Sequence, residues 1–289
     1  MQQLIVSGLA TGSLYALMAL GLVLVYKSMG IINFAQGEIA MFATFISYEL
    51  LQNARVAAWL SLLVAVVFAA ALSAAVERTV IRPVLDRPEA HAVIVTVGLF
   101  LVLNAGAGWV FGSDPRGYPS AFALPSVHVT GTAVVSGPQL VVVVTTAIVV
   151  ALLAALFRYT KLGMAMKACQ QDSRAAALLG VRVGSIYTVT WALAGVLGAV
   201  GGVLTAPLSG LSPQMMVPIL VNGLAAAVVG GFGSLTGAVI GGLLLGVGEA
   251  LIGGYFSLNL QVAGTFAAVI LILIIRPQGL FATATGRRV

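Results

Sequence analysis

Two glutamates, Glu38 and Glu249, interrupt long apolar runs in a chain of 289 residues. In hydrocarbon an ionised carboxylate costs roughly 3 kcal/mol or more unless it is paired, protonated or reached by water, so each needs an account. Glu249 stands seven residues after Gly242 and three after Gly246, which at 100° per residue puts it on the same small-residue helix face. Two readings are open for it: a polar lining of a path across a membrane, or a hydrogen-bonded structural carboxyl between helices. Glu38 ends a cluster with Asn33 and Gln36 in GIINFAQGEIA. A lipid-facing helix disfavours such a set, whereas a broken or protein-buried helix can satisfy it. The second half of the chain has a counterpart in SGLSPQMMVPILVNGL, where Pro213, Pro218, Asn222 and Gly223 interrupt a short apolar segment. Paired interruptions of this kind point to a substrate path, and a short kinked packing helix is the alternative. Asn104 and Gln261, single polar groups in apolar runs, read as hydrogen-bond partners between helices, and Glu49 as a helix-end group reaching the interface.

Catalysis finds little material. Lys27, Lys161 and Lys167 are the only lysines and none follows a glycine, so no GxxxxGK[ST] phosphate loop exists. There is no HExxH, and the two histidines, His91 and His128, fall on opposite sides of the membrane by the topology derived below, too far apart to share a metal or a proton. Cys169 is the single cysteine, which rules out an intramolecular disulfide and a CxxC site. The chain reads as no enzyme, with no cofactor of its own. Movement of a solute against a gradient would need an ion gradient or a separate ATPase.

The elements that position these residues are membrane helices. Hydrophobic residues make up 60% of the chain, charged residues 8%, and the mean hydropathy is +1.10, far from a soluble domain. The expected fold is an all-α, polytopic transmembrane bundle of about eight or nine spans with interrupted helices, in a single domain over residues 1–289. Apolar runs predict spans near 4–26, 31–51, 57–77, 90–111, 138–157, 185–207, 216–231, 234–253 and 258–275. The first reads as a retained span, since it lacks a basic n-region and is too long for a signal h-region. With the N-terminus outside and the C-terminus cytoplasmic, the inner loops receive Lys27, Arg78, Arg82, Arg87, Arg158, Lys161, Lys167, Arg174, Arg182, Arg276, Arg287 and Arg288. That leaves only Arg55 and Arg116 outside. The net charge of +6 thereby reports orientation and not affinity for nucleic acid. The long outer loop from Gly112 to Pro138 reads as a cap, a partner surface or a plain connection.

Small residues should form the helix contacts. Gly233, Gly237 and Gly241 lie on one ridge of the eighth span, and Gly242, Gly246, Ala250 and Gly254 on the next. GLATGSLYAL from Gly8 and GLLLGVGEAL from Gly242 share G-L-x-x-G-x-x-x-A-L, which raises the question of an internal repeat.

One segment stays in water. Between Arg158 and Arg182 lie five of the fourteen basic residues and one acid, Asp172. Asp172 before SRAAALL, with Gly180 after it, predicts a short helix with an Asp N-cap and a glycine at C′. The preceding LGMAMKACQQ is also helical in composition, with Leu162, Met166 and Cys169 on one face. Such a hairpin either rests on lipid headgroups or docks in a protein groove.

The string from Thr160 to Val181, TKLGMAMKACQQDSRAAALLGV, resembles the T-x-x-G-x-A-x-[RK]-A-x-x-x-D-x-x-A-A-x-x-x-G-[IV] signature of permeases of branched-chain amino acid ABC importers. INFAQGEIAMF from Ile31, GGFGSLTGAVIGGLLLG and the terminal RPQGLF resemble further motifs of the LivH-type subunit, in the same order over essentially the whole chain. The resemblance implies an alternating-access permease of the bacterial inner membrane for leucine, isoleucine and valine. It also implies a LivM-type second permease, two cytoplasmic ATPase subunits that bind ATP and Mg, and a periplasmic amino-acid-binding protein. The segment of about 158–184 would then couple to an ATPase, with the match carried by Gly163, Ala165, Lys167, Ala168, Asp172, Ala176 and Gly180. Lys167 stands where the family commonly has Arg, which keeps the charge without the planar fork. Related permeases serve urea or short amides, and a self-sufficient channel or ion-coupled carrier is a further alternative.

Overall fold

The computed structural model describes residues 1–85, 87–119, 127–129 and 133–281. Eleven α-helices are seen among them: α1 Gln2–Met29, α2 Gln36–Gln52, α3 Ala58–Val76, α4 Glu89–Phe111, α5 Gly137–Tyr159, α6 Lys161–Gln171, α7 Ser173–Leu178, α8 Val183–Ser209, α9 Met216–Gly230, α10 Leu235–Tyr255 and α11 Leu258–Ile275. A π-helical turn, Glu77–Ile81, and a 3-10 turn, Arg82–Val84, prolong α3. The described residues also include a small antiparallel hairpin of β1 Val127–Val129 and β2 Ala133–Val135, which pairs His128 with Val134. Among the described residues, six helices are long and apolar enough to cross a membrane: α1, α3 with its extension, α4, α5, α8 and α10. The apolar α9 and α11 are shorter, and α2 has 17 residues. The chain is a multi-pass membrane protein.

Burial divides the helices into an inner and an outer set. Nearly every side chain of α1 from Ser13 to Val25 is enclosed, and α8 buries Trp191, Leu197, Ala199 and Ala206. In contrast, α3, α4, α5 and α11 expose Trp59, Ile94, Leu152 and Ile274, and Trp109 is 90% exposed. Apolar surface on that scale belongs against lipid or another helix.

The deepest contact is α1 against α10, and its cause is missing side chains. A Cβ on Gly246 would lie 2.3 Å from the Cα and N of Gly12 and 2.6 Å from the carbonyl O of Gly8. A Cβ on Gly12 would lie 2.8 Å from the carbonyl O of Gly242. The two strings with the shared G-L-x-x-G-x-x-x-A-L pattern are thus the two sides of one antiparallel crossing, where each helix must offer small residues.

The second span starts later than the sequence predicts. α1 ends on Gly30 in the left-handed region, φ 74°, and the chain returns through non-helical residues 31–35 before α2 begins at Gln36 rather than near residue 31. Ile31, Asn33 and Ala35 are buried, so the irregular backbone is enclosed by protein, where its free polar groups find partners. The Trp191 Nε1 group contacts the Met29 sulfur at 3.0 Å, which places this break near the α6–α7 end of the bundle. A second break, residues 210–215, follows α8 at the opposite end. Each break precedes a shorter helix, α2 or α9.

Candidate polar pathway and docking surface

The residues singled out around α2 diverge. Asn33 turns inward on its own loop, its Oδ1 accepting the Ala35 N–H at 3.1 Å. Gln36 Nε2 donates to the Met18 carbonyl of α1 at 3.5 Å, and its Oε1 is buried with no partner. Glu38 lies 200° further round the helix and is 0% exposed. Its Oε2 accepts Asn104 Nδ2 at 3.2 Å, and the same amide donates to the Pro213 carbonyl at 3.1 Å. Asn104 therefore joins the first turn of α2 to the second break, a role between helices that its lone place in an apolar run suggested. Glu38 Oε1 has no partner, which leaves an acceptor open inside the bundle.

A separate polar group joins α1, α9 and α10. The Tyr15 hydroxyl donates to Glu249 Oε2 at 2.6 Å and accepts Asn222 Nδ2 at 3.1 Å. Asn222 and Glu249 thus meet, through a tyrosine that sequence reasoning passed over. The signal was present: Tyr15 occupies in the first shared string the position Glu249 occupies in the second. Among the described residues no group of three His, Cys, Asp or Glu could hold a metal.

An ion pair near the α6–α7 end was also missed, because Arg82 read only as an orientation charge. Glu77, 0% exposed, receives Arg82 Nε at 2.9 Å and NH2 at 2.8 Å, and the Thr188 hydroxyl at 2.8 Å. Arg82 also donates to the Gly184 carbonyl at 2.6 Å. Glu77 opens the π turn, and the network fastens the end of α3 to the start of α8, just after α7.

At the opposite end the described part of the long loop closes over the bundle. Arg116 and Leu211 exchange backbone hydrogen bonds of 2.8 Å, tying the loop to the second break. The Arg116 guanidinium reaches Glu49 at 3.1 Å and the Phe111 carbonyl, and the Tyr118 hydroxyl meets Ser47 at 2.7 Å. Glu49, partly exposed near the end of α2, is therefore an ion-pair partner. Residues 120–126 and 130–132 of this loop lie outside the described residues, as do Arg287 and Arg288.

The polar segment forms the two short helices its sequence predicts. Thr160 caps α6 by accepting the Gly163 N–H at 3.0 Å. Asp172 caps α7, its Oδ1 accepting Arg174 N at 2.9 Å and Ala175 N at 3.0 Å. Gly180 stands at C′ with φ 86°, and the pair Gly180 N to Ala177 O and Val181 N to Ala176 O, each 3.0 Å, is a Schellman closure. Gly163, Met166, Cys169 and Ala176 are buried, Leu162, Ala165 and Ala168 half-buried, and Lys167, Asp172 and Gly180 exposed. Gly163 is where α6 crosses α5, since a Cβ there would lie 2.3 Å from the Leu156 carbonyl. Burial pushes the Cys169 thiol up, away from reactive thiolate. Leu178 and Leu179, at 90% and 84% exposure, form an apolar tip at the end of α7. Asp172→Ala removes both cap bonds at a cost of about 1 kcal/mol. Amide exchange at Arg174 and Ala175 should speed up about fivefold while global melting stays constant.

The family model described as branched-chain amino acid transport system / permease component matches residues 4–275. The high-affinity branched-chain amino acid transport system permease protein LivH of Salmonella typhimurium is 32% identical over 286 residues, covering 95% of this chain and 93% of the relative. LivH of Escherichia coli K12 is 32% identical over 288 residues, with the same coverage. BraD of Pseudomonas aeruginosa is 30% identical over 292 residues, covering 96% and 94%. Among solved structures, PsaBC from Streptococcus pneumoniae in complex with Fab shares the fold, with a TM-score of 0.51 at 15% identity over 96% of this chain and 92% of that one. With a matching model over nearly its whole length and relatives above 30% identity, the chain belongs to the permease family of branched-chain amino acid transport systems.

Proposed function

We propose that this chain is a permease subunit of an ATP-driven ABC importer that carries leucine, isoleucine and valine across the bacterial inner membrane by alternating access. The names of its relatives support the substrate class. The observation that carries the mechanism is the α6–α7 hairpin: capped helices, an apolar tip at Leu178 and Leu179, and no phosphate-binding loop anywhere in the chain. ATP and Mg belong to two cytoplasmic ATPase subunits, one of which receives the hairpin. A LivM-type permease completes the membrane part, and a periplasmic binding protein delivers the amino acid. In this reading α2, α9 and α11 join the six longer helices to give nine spans, with the N-terminus outside and the hairpin and C-terminus cytoplasmic. Glu38 with Asn104, and Glu249 with Tyr15 and Asn222, are polar stations along or beside the path, while Asn33 and Gln36 shape the break.

Reconstitution in proteoliposomes tests this. The expected result is uptake of leucine, isoleucine and valine that requires ATP, both ATPase subunits and the binding protein. Robust uptake by the chain alone would mark a channel or carrier and sink the proposal. Transport of urea or acetamide in place of the amino acids would reassign the substrate.

A further inference from the structure

Beside the α1–α10 crossing lies a cavity of about 260 Å³ shared with α11, lined by Leu4, Ser7, Thr11, Glu249 and Gln261 with glycine backbone from α10. Its two hydroxyls lack the back-bond that several other helix hydroxyls make. Ser13, Thr44, Thr190, Thr205 and Thr265 each return a hydrogen bond to the carbonyl four residues back, the inexpensive way to satisfy a hydroxyl in a membrane helix. Ser7 and Thr11 make no such bond among the described residues, although both stand on α1. Glu249 is 8% exposed, and one of its oxygens is held by Tyr15. No described protein donor reaches the other oxygen.

The groups facing the cavity are thus a carboxylate oxygen, two hydroxyls and a side-chain amide, with no basic residue among them. A largely buried carboxylate without a cation is expensive, and the missing cation is what a ligand can bring. A divalent metal would call for more carboxylate ligands than this cavity supplies. A primary ammonium fits, with three donors for Glu249 and the hydroxyls and with Leu4 beside its carbon chain.

We propose that this cavity binds the ammonium group of the transported amino acid, with Glu249 as the counter-charge and Ser7, Thr11 and Gln261 as neutral partners. The inference rests on the amino-acid reading above. It also gives the permease its own means of choosing amino acids over urea or amides, which carry no ammonium.

The test uses the assembled complex in nanodiscs without its binding protein, probed with radiolabelled leucine. Two competitors divide the molecule: isoamylamine keeps the ammonium without the carboxylate, and 4-methylpentanoate keeps the carboxylate without the ammonium. Leucine should be displaced by the amine and not by the acid. Glu249→Gln, which still accepts the Tyr15 hydroxyl, should weaken leucine binding about tenfold to hundredfold and abolish displacement by the amine. Ser7→Ala with Thr11→Val leaves the Tyr15–Glu249 bond in place and should weaken binding severalfold, about the effect of lost neutral partners. The assignment is overturned if wild-type complex binds no leucine, if the acid competes as well as the amine, or if Glu249→Gln binds leucine like wild type. Failure of the function itself reads differently: the wild-type complex, with binding protein and ATP, would then import no branched-chain amino acid at all.

Discussion

Arg82→Met should destabilise the protein by about 3 kcal/mol, because it strips both guanidinium bonds from Glu77 and leaves a fully enclosed carboxylate with only the Thr188 hydroxyl. The expected cost sits at the lower end for a broken buried pair, since the Arg82 side chain is 40% exposed and its own charge returns to water. Melting of the detergent-solubilised protein reads the loss. The informative comparison is Glu77→Gln with Arg82→Met, in which no charge is stranded. That double variant should recover most of the lost stability, and additive losses would mean that the pair acts independently of the buried charge. Because the same network fastens α3 to the first turn of α8, the single variant should also lower the uptake achieved per ATP hydrolysed.

Gly246→Leu should have an effect at least as large. The new side chain starts 2.3 Å from the α1 backbone at Gly12, and the obstacle is main chain rather than the flexible end of a side chain. Overpacking of this kind costs about 1–3 kcal/mol and often more where backbone must move. The helices must part, and the Tyr15–Glu249 hydrogen bond across the crossing is lost with them. Gly246→Ala should show the same loss in smaller measure. Gly248→Ala, two residues along the same helix, meets nothing within 4 Å and should be neutral or stabilising by up to about 1 kcal/mol through helix propensity. Yield and melting temperature of the three variants give the measurement. Equal behaviour of Gly246→Ala and Gly248→Ala would refute the close crossing.

The helices themselves were largely readable. A span expected at 57–77 is α3 Ala58–Val76, and one expected at 138–157 is α5 Gly137–Tyr159, because length and uniform apolarity suffice to specify a membrane helix. The hairpin was equally legible: an Asp N-cap, alanines and a C′ glycine act within a few residues of one another, so Asp172 and Gly180 do what their spacing suggested. The second span misled by five residues. Asn33 and Gln36 showed that something breaks there, but helix ends inside a bundle depend on whether neighbours can satisfy the freed backbone. The Thr96 hydroxyl, 64 positions away, accomplishes this for the Ile32 carbonyl.

By itself, then, the sequence determined that the chain crosses a membrane many times, where most of its long helices run, which polar segment forms a capped helical hairpin, and that Glu38 and Glu249 need partners. Only the tertiary structure decided which partners: Asn104 for Glu38, Tyr15 for Glu249 across 234 positions, and Arg82 with Thr188 for Glu77. Helical periodicity assigns a residue to a face, and a face is a property of one helix. Which helix lies opposite, and at what height, is set by the packing of small residues between helices, and no local pattern contains that information.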